Sequence, residues 1–439
     1  MSNKEDLEKK VLDKIDQLEP EMVKVALDLA DTDSFQPNEK VAGDYLYAWC
    51  QENGFGPQKI GAPHRFNVLA KYKGTGKGHS LLFCSHLDGP DGGTGPGREL
   101  AKWRYRYPDA PFRTHAWREG DAIIGGSINN CKGPMACWLI ATKAINDLGI
   151  KLLGDIVLTA VVGETGGAPV DEFEAPEWDS HEVGARYIAS HGGIADFALV
   201  AEWTDFTLVP MENGFAYFKI TTYAGPATYT PSLSRPEPSR EKSVNAIVRM
   251  AKFIERFEQY ADEYTKENTY SFDGSTVVPN ASIGAIRGGI PPNPIHSPEV
   301  CSIYCDFRIP PGKNPLDIQR HLKGILEEME MDSQVEMYKY LPGYQAWHNN
   351  GFDVLKNAVV EAHTRLFNKP PQVASRTLVS MWRDVNAFNE LGVPAISYGF
   401  IRGRTPEGAG YIKIADMITA AKVYALTALD ICNRPYNGS

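Results

Sequence analysis

The chain has 439 residues, 43% of them hydrophobic and 23% charged, with a formal net charge of −10. That length exceeds one ordinary domain, and the composition describes a soluble globular protein with a large core in two structural units. The acidic balance argues against nucleic acid or an anionic membrane as partner, while a small anionic substrate stays compatible because local charge governs its binding. No apolar run is long enough to span a membrane. The N-terminus, MSNKEDLEKKVLDKI, lacks the apolar stretch of a signal peptide, so a cytoplasmic protein is expected. The seven cysteines are odd in number and scattered through apolar segments, which predicts buried thiols rather than a disulfide framework or zinc cage.

Leu7, Val11, Ile15 and Leu18 keep helical spacing, Pro20 opens a second helix through Leu29, and Val41, Tyr45 and Trp49 mark a third. Strands are predicted at Asn67–Tyr72 and Leu81–Ser85, the second running into LLFCSHLDG. His86 and Asp88, two apart in extended chain, point the same way over that strand's end, and an imidazole beside a carboxylate suits a metal ligand or a base. Residues 89–120 form a long Gly- and Pro-rich passage with Trp103, Tyr105, Tyr107 and Trp117, either a functional loop or a packed surface one. Asn129, Asn130 and Lys132 then feed a helix opened by Pro134. The strands Asp155–Val162 and Asp196–Ala201 end at Glu164, in GETGG, and at Glu202. Carboxyl ends of strands are where α/β sheets bind ligands.

From about residue 213 the order becomes strand (216–223), helix (243–260), two strands (281–287, 300–309), helix (315–329) and strand (334–340), a ferredoxin-like unit. The expected organisation is a layered α/β domain, residues 1–212 and 343–439, with a lid domain inserted at 213–342. A helix at 352–367, a strand at 394–400 and a helix at 414–432 complete the first domain.

These motifs together carry a resemblance. In order they are HLD, GGSINNCKGPMA, GETGG, AEWTD, ENGFAYFKITTYAGPA, GGIPPNPIHSPE, CDFRIPPG and DVNAFNELGVPAISYGF. The chain resembles the aminoacylase and carboxypeptidase-G type metallopeptidases, which include succinyl-diaminopimelate desuccinylase. The resemblance implies an α/β metallopeptidase-type domain with a ferredoxin-like lid through which such proteins dimerise, and a site that normally holds two metal ions. It implies His86 and Glu202 as ligands, Asp88 as the residue orienting His86, and Glu164 as general base. Three ligand positions depart from the pattern. The bridging Asp falls on Asn130, the second Glu of the Glu-Glu pair on Thr165, and the C-terminal His near Arg404; no histidine lies beyond His363. The lid His that polarises substrate falls on Tyr229.

Both ligands private to one ion are therefore missing. The expectation is one labile divalent ion per subunit (Mn, Zn or Co), held by His86, Glu202 and the Asn130 side-chain oxygen, since replacing a carboxylate by an amide weakens the hold on a dication. Arg404, Arg383, Asn293, Arg308 and Tyr229 are the candidate substrate-binding residues; Arg308 equally suits a structural ion pair, and His296 a loop position. The expected activity is hydrolysis of a C–N bond in a small carboxylate-bearing substrate by a metal-activated water, with Glu164 as base. An aromatic aminohydrolase of the 5-nitroanthranilate-deaminating type is the leading specific reading. An aminoacylase or dipeptidase, and a metal-depleted binding protein without activity, stand as alternatives.

Overall fold

In the computed structural model, which describes residues 3–89, 102, 104, 106–272 and 274–436, the chain divides into two compact units. One comprises Met1–Met211, Gln345–Ala374 and Arg383–Ser439; the other comprises Glu212–Tyr344 and Ser375–Trp382. The segment 375–382 thus belongs with the second unit although it follows the first unit's 352–367 helix in the chain.

The first unit is built on a six-stranded sheet ordered Gln58–Ala62, Arg65–Tyr72, Ile156–Val161, Leu81–His86, Phe197–Ala201 and Ala395–Tyr398. The last four run parallel. Every residue of these four is buried. That explains why they read as continuous apolar runs rather than alternating ones, since parallel strands are covered on both faces. The helices Gly133–Asp147 and Ile414–Ile431 pack on each other, each contributing a dozen buried residues to that cover. The last strand is shorter than the predicted 394–400. Gly399 N turns out of the ladder to donate to Thr204 Oγ1 at 3.0 Å, and a Cβ at Gly399 would lie 2.0 Å from the Glu202 carbonyl.

The 89–120 passage is not wholly irregular where described. Ala116–Glu119 and Ala122–Gly125 form a hairpin, and the second strand pairs with Gly410–Lys413. Trp103 and Tyr105 lie outside the described residues. Tyr107 and Trp117 are exposed.

The second unit has the predicted β-α-β-β-α-β order. Its sheet runs Ala281–Gly288, Val300–Ile309, Gly214–Tyr223, Ser333–Leu341, every neighbour antiparallel. Along the helix Ala246–Asn268, the buried residues Ala246, Met250, Phe253, Phe257, Tyr260, Ala261 and Tyr264 form one stripe at helical spacing. The helix begins three residues later than its pattern suggests because the Asn245 side chain caps it, accepting from Ile247 N at 2.9 Å. Phe257 is fully buried against Phe253 and Phe307. Phe257→Ala is expected to cost about 3–5 kcal/mol, read as a lowered denaturation midpoint of this unit. Among the described residues no helix is long and apolar enough to cross a membrane.

Candidate active site and metal centre

Strand register sets the site. Cys84 pairs with Val200, so His86 and Glu202, each two residues further on, reach the same level at the sheet's carboxyl edge. The neighbouring strand ends at Val161, opposite His86, and Gly163 at φ 75° turns the chain so that Glu164 returns over that edge. The segment before the helix Gly133–Asp147 brings Asn130 and Cys131 to the same place. His86 Nε2 lies 3.6 Å from Glu164 Oε2, 3.6 Å from Glu202 Oε1 and 3.4 Å from Asn130 Oδ1. The structure thereby brings together His86, Asp88, Asn130, Glu164 and Glu202.

His86 Nδ1 sits 2.8 Å from the Asp88 carbonyl oxygen. A carbonyl can only accept, so Nδ1 carries a proton and Nε2 is the ring atom aimed at the cluster. Asp88 thus holds His86 chiefly through its backbone, with its carboxylate 3.3 Å from the ring. The carboxylate's other contacts are to the GETGG loop: Oδ1 accepts from Glu164 N at 2.9 Å, and Oδ2 accepts from Thr165 N at 2.7 Å and from the Thr165 hydroxyl. Thr165, at the position where the resemblance expects a second metal ligand, is a partner of Asp88. Lys132 does not join the cluster. Its buried ammonium donates to Ser34 Oγ at 2.7 Å and to the Leu87 carbonyl, tying the helix entrance to the His86–Asp88 segment.

Burial dominates the electrostatics. It raises the Glu164 carboxyl well above the usual carboxylate range, helped by repulsion from Glu202 and Asp384 and opposed by His86. On His86 burial disfavours charge, yet Cys131, Asp88 and Glu164 beside it outweigh burial and raise the imidazole well above its ordinary value. On Asp88 burial is likewise overcome, by His86 and by the Thr165 hydrogen bonds, so the carboxylate stays ionised. Burial lowers Lys132 to about 8, against the pull of Asp88 and Glu39.

One residue missed by sequence reasoning completes a set of donors that could hold a metal ion. Donor atoms of His86, Cys131 and Glu202, all buried, lie within 4.8 Å of one another. Glu202 Oε2 is buried without a hydrogen-bond partner, with Arg383 Nε 3.8 Å away. Imidazole, thiolate and carboxylate are the ligand types of Zn²⁺ and similar borderline ions, so the residues fit a divalent cation. Asn130 stays beside this trio, its Oδ1 3.9 Å from Cys131 Sγ. All seven cysteines are free and buried, and only the neighbourhood of Cys131 distinguishes it from the rest. Cys131→Ser should therefore weaken Zn²⁺ retention by at least about tenfold while the fold stays intact, measured by competition with a chromogenic chelator.

The remaining candidates are dispersed. Arg383 is buried, donating from Nη2 to the Trp203 carbonyl at 3.1 Å. Arg404 is exposed, its Nη1 3.5 Å from the Gly408 carbonyl. Tyr229, Asn293 and Arg308 belong to the second unit. There Tyr229 packs beside His296, ring centroids 5.6 Å apart, and Asn293 sits in an exposed turn. Arg308 makes the structural ion pair, Nη2 to Asp306 Oδ2 at 2.8 Å, at the edge of a cavity of about 390 Å³ that Arg376 also lines.

Residues 234–332 match the peptidase dimerisation domain M20_dimer. Over 198 residues the chain is 28% identical to N-formyl-4-amino-5-aminomethyl-2-methylpyrimidine deformylase of Bacillus subtilis (strain 168), a match covering 44% of this chain and 41% of that protein. The chain spans less than half the length of the curated relatives it matches. Human carnosine dipeptidase 1 aligns with a TM-score of 0.69 at 15% identity, over 97% of this chain and 99% of that one. The M20 family metallo-carboxypeptidase Sso-CP2 from Sulfolobus solfataricus aligns at 0.66 and 16% identity, over 94% and 99%. The chain has the M20 metallopeptidase fold, with that family's peptidase dimerisation domain in its second unit.

Proposed function

We propose that this protein hydrolyses a C–N bond in a small carboxylate-bearing molecule, using one divalent ion per subunit held by His86, Cys131 and Glu202 with Asn130 alongside. The observation that carries this reading is the position of Glu164. It is a buried carboxyl tuned upward by its surroundings, 3.6 Å from His86 Nε2, and it is not one of the three clustered donors. A base with a raised pKa is better matched to neutral pH than an ordinary carboxylate. A divalent ion in such a site supplies positive charge that lowers the pKa of water and stabilises developing negative charge. Glu164 removes a proton from water as the oxygen attacks the carbon, and returns it to the departing nitrogen. Water is thus divided between the two products: the carbon gains oxygen and the nitrogen leaves protonated. Asp88 keeps the Glu164 backbone and the His86 ring in place during both transfers.

Two substrate types follow. The match to a deformylase supports an amide such as an N-formyl or N-acyl amine. The positive charge of Arg383, 3.8 Å from Glu202, supports a carboxylate-bearing substrate, as in the aromatic aminohydrolase reading. The dimerisation-domain match supports a homo-oligomer formed through the second unit. The test is the purified protein loaded with Mn²⁺, Zn²⁺ or Co²⁺ and offered N-formyl amines, N-acyl amino acids, dipeptides and aminobenzoates. Release of formate, free amino acid or ammonia is read separately. Metal-dependent release of one of them is expected; none from any substrate class with any ion overturns the reading.

A further inference from the structure

We infer that Arg402, seated on the indole of Trp203, is the residue that binds the substrate's carboxylate. This rests on the reading of the site as one for a small carboxylate and names the group that recognises it.

Trp203 directly follows Glu202, and its ring is buried, so the indole is a fixed surface at the metal centre's border. The Arg402 guanidinium carbon stands 3.2 Å from the indole centroid, which puts the cation over the ring face. Arg383 approaches the same ring at 4.9 Å. The two arginines differ in what they do with their donors. Arg383 is occupied, by the Trp203 carbonyl and by Glu202. For Arg402, among the described residues, no side chain or carbonyl accepts a hydrogen bond from the guanidinium. It is half-buried nonetheless. Stacking holds the face of a guanidinium and leaves its in-plane N–H fork open, the edge that matches a carboxylate bidentately.

Backbone placement sets the Arg402 loop beside the site. Arg402 lies on the loop after Ala395–Tyr398, the fourth parallel strand, whose Tyr398 pairs with Ala201 just before Glu202. On its other side, the Gly403 carbonyl lies 3.5 Å from Asn129 Nδ2, next to Asn130. The Arg402 loop is thereby held between the residue after one metal donor and the residue before Asn130. Burial, then repulsion from Arg404 and Arg383, lowers the guanidinium to about 10, and Asp205 and Glu202 offset this only in part. An anion at the fork would relieve that repulsion. Arg404, which the resemblance sets near the missing C-terminal histidine, is exposed and bonded to its own turn, so it does not compete for this role.

The test is equilibrium binding of benzoate and of benzamide to the zinc-loaded protein by calorimetry, in the natural chain, Arg402→Gln and Arg402→Lys. Circular dichroism and zinc content establish that each variant is folded and loaded. Benzoate is expected to bind the natural protein at least about tenfold more tightly than benzamide, and to lose that advantage in Arg402→Gln. Arg402→Lys, which keeps charge but not the planar fork, should fall between them. Equal benzoate affinity in Arg402→Gln and the natural protein, or equal binding of benzoate and benzamide, overturns the assignment. Because binding is read without turnover, benzoate recognition through Arg402 in a protein that hydrolyses nothing would sink the hydrolase reading and leave the subsite standing.

Discussion

Glu164→Gln is expected to lower turnover by about 10²- to 10⁴-fold, the range a positioned general base contributes, while zinc content is unchanged. The two halves of that result come from different atoms. Glutamine preserves the size of the side chain and the backbone N–H that Asp88 accepts at 2.9 Å. The clustered donors His86, Cys131 and Glu202 are untouched. What disappears is the ability to take a proton at a position 3.6 Å from His86 Nε2. Measuring kcat/KM on the substrate that turns over fastest, together with bound metal by elemental analysis, separates loss of the base from loss of the ion. Full activity in Glu164→Gln would remove Glu164 from the mechanism; loss of zinc along with activity would make it a ligand.

The parts of this site that were legible in the sequence are those encoded by a strand and its end. LLFCSH, IVLTAV and FALVA are fully buried runs, so the polar residue at or just beyond each has to emerge at the sheet edge. His86, Glu164 and Glu202 follow from that alone. Cys131 does not, because a cysteine near a buried helix reads as packing until its neighbours in space are known. Trp203 and Arg402 were missed for a similar reason: their stacking depends on the Ala395–Tyr398 strand pairing with Phe197–Ala201, a contact between distant parts of the chain. In the second unit the alternating strand VCSIYCDFRI and the aromatic stripe of Ala246–Asn268 were visible from period alone. The short helix Arg376–Val379 was not, being too short to carry a period; its place in that unit comes from tertiary packing against Ser275–Val277.

Asp88→Ala should be more damaging than Glu164→Gln in every respect except the chemical step itself. The Asp88 carboxylate is buried and accepts from Glu164 N, Thr165 N and the Thr165 hydroxyl. Removing it leaves those donors without their acceptor, at a cost of about 1–3 kcal/mol for each one that water cannot reach. The GETGG loop then loses its anchor, and the His86 ring loses the carboxylate 3.3 Å from it. Metal retention is expected to fall about 10- to 100-fold, as for other groups that orient a ligand from behind, with a lower melting temperature in the metal-free protein. Asp88→Asn should fall short of rescue, because its amide nitrogen would face an N–H donor wherever it is turned. Thr165→Val supplies the internal control. It deletes one of the donors to Asp88, so its destabilisation and that of Asp88→Ala should add to more than the double variant shows. Simple additivity would mean that Thr165 does not act through Asp88. Coupling would mean that the residue standing where the resemblance expects a second metal ligand serves instead to hold the carboxylate behind His86.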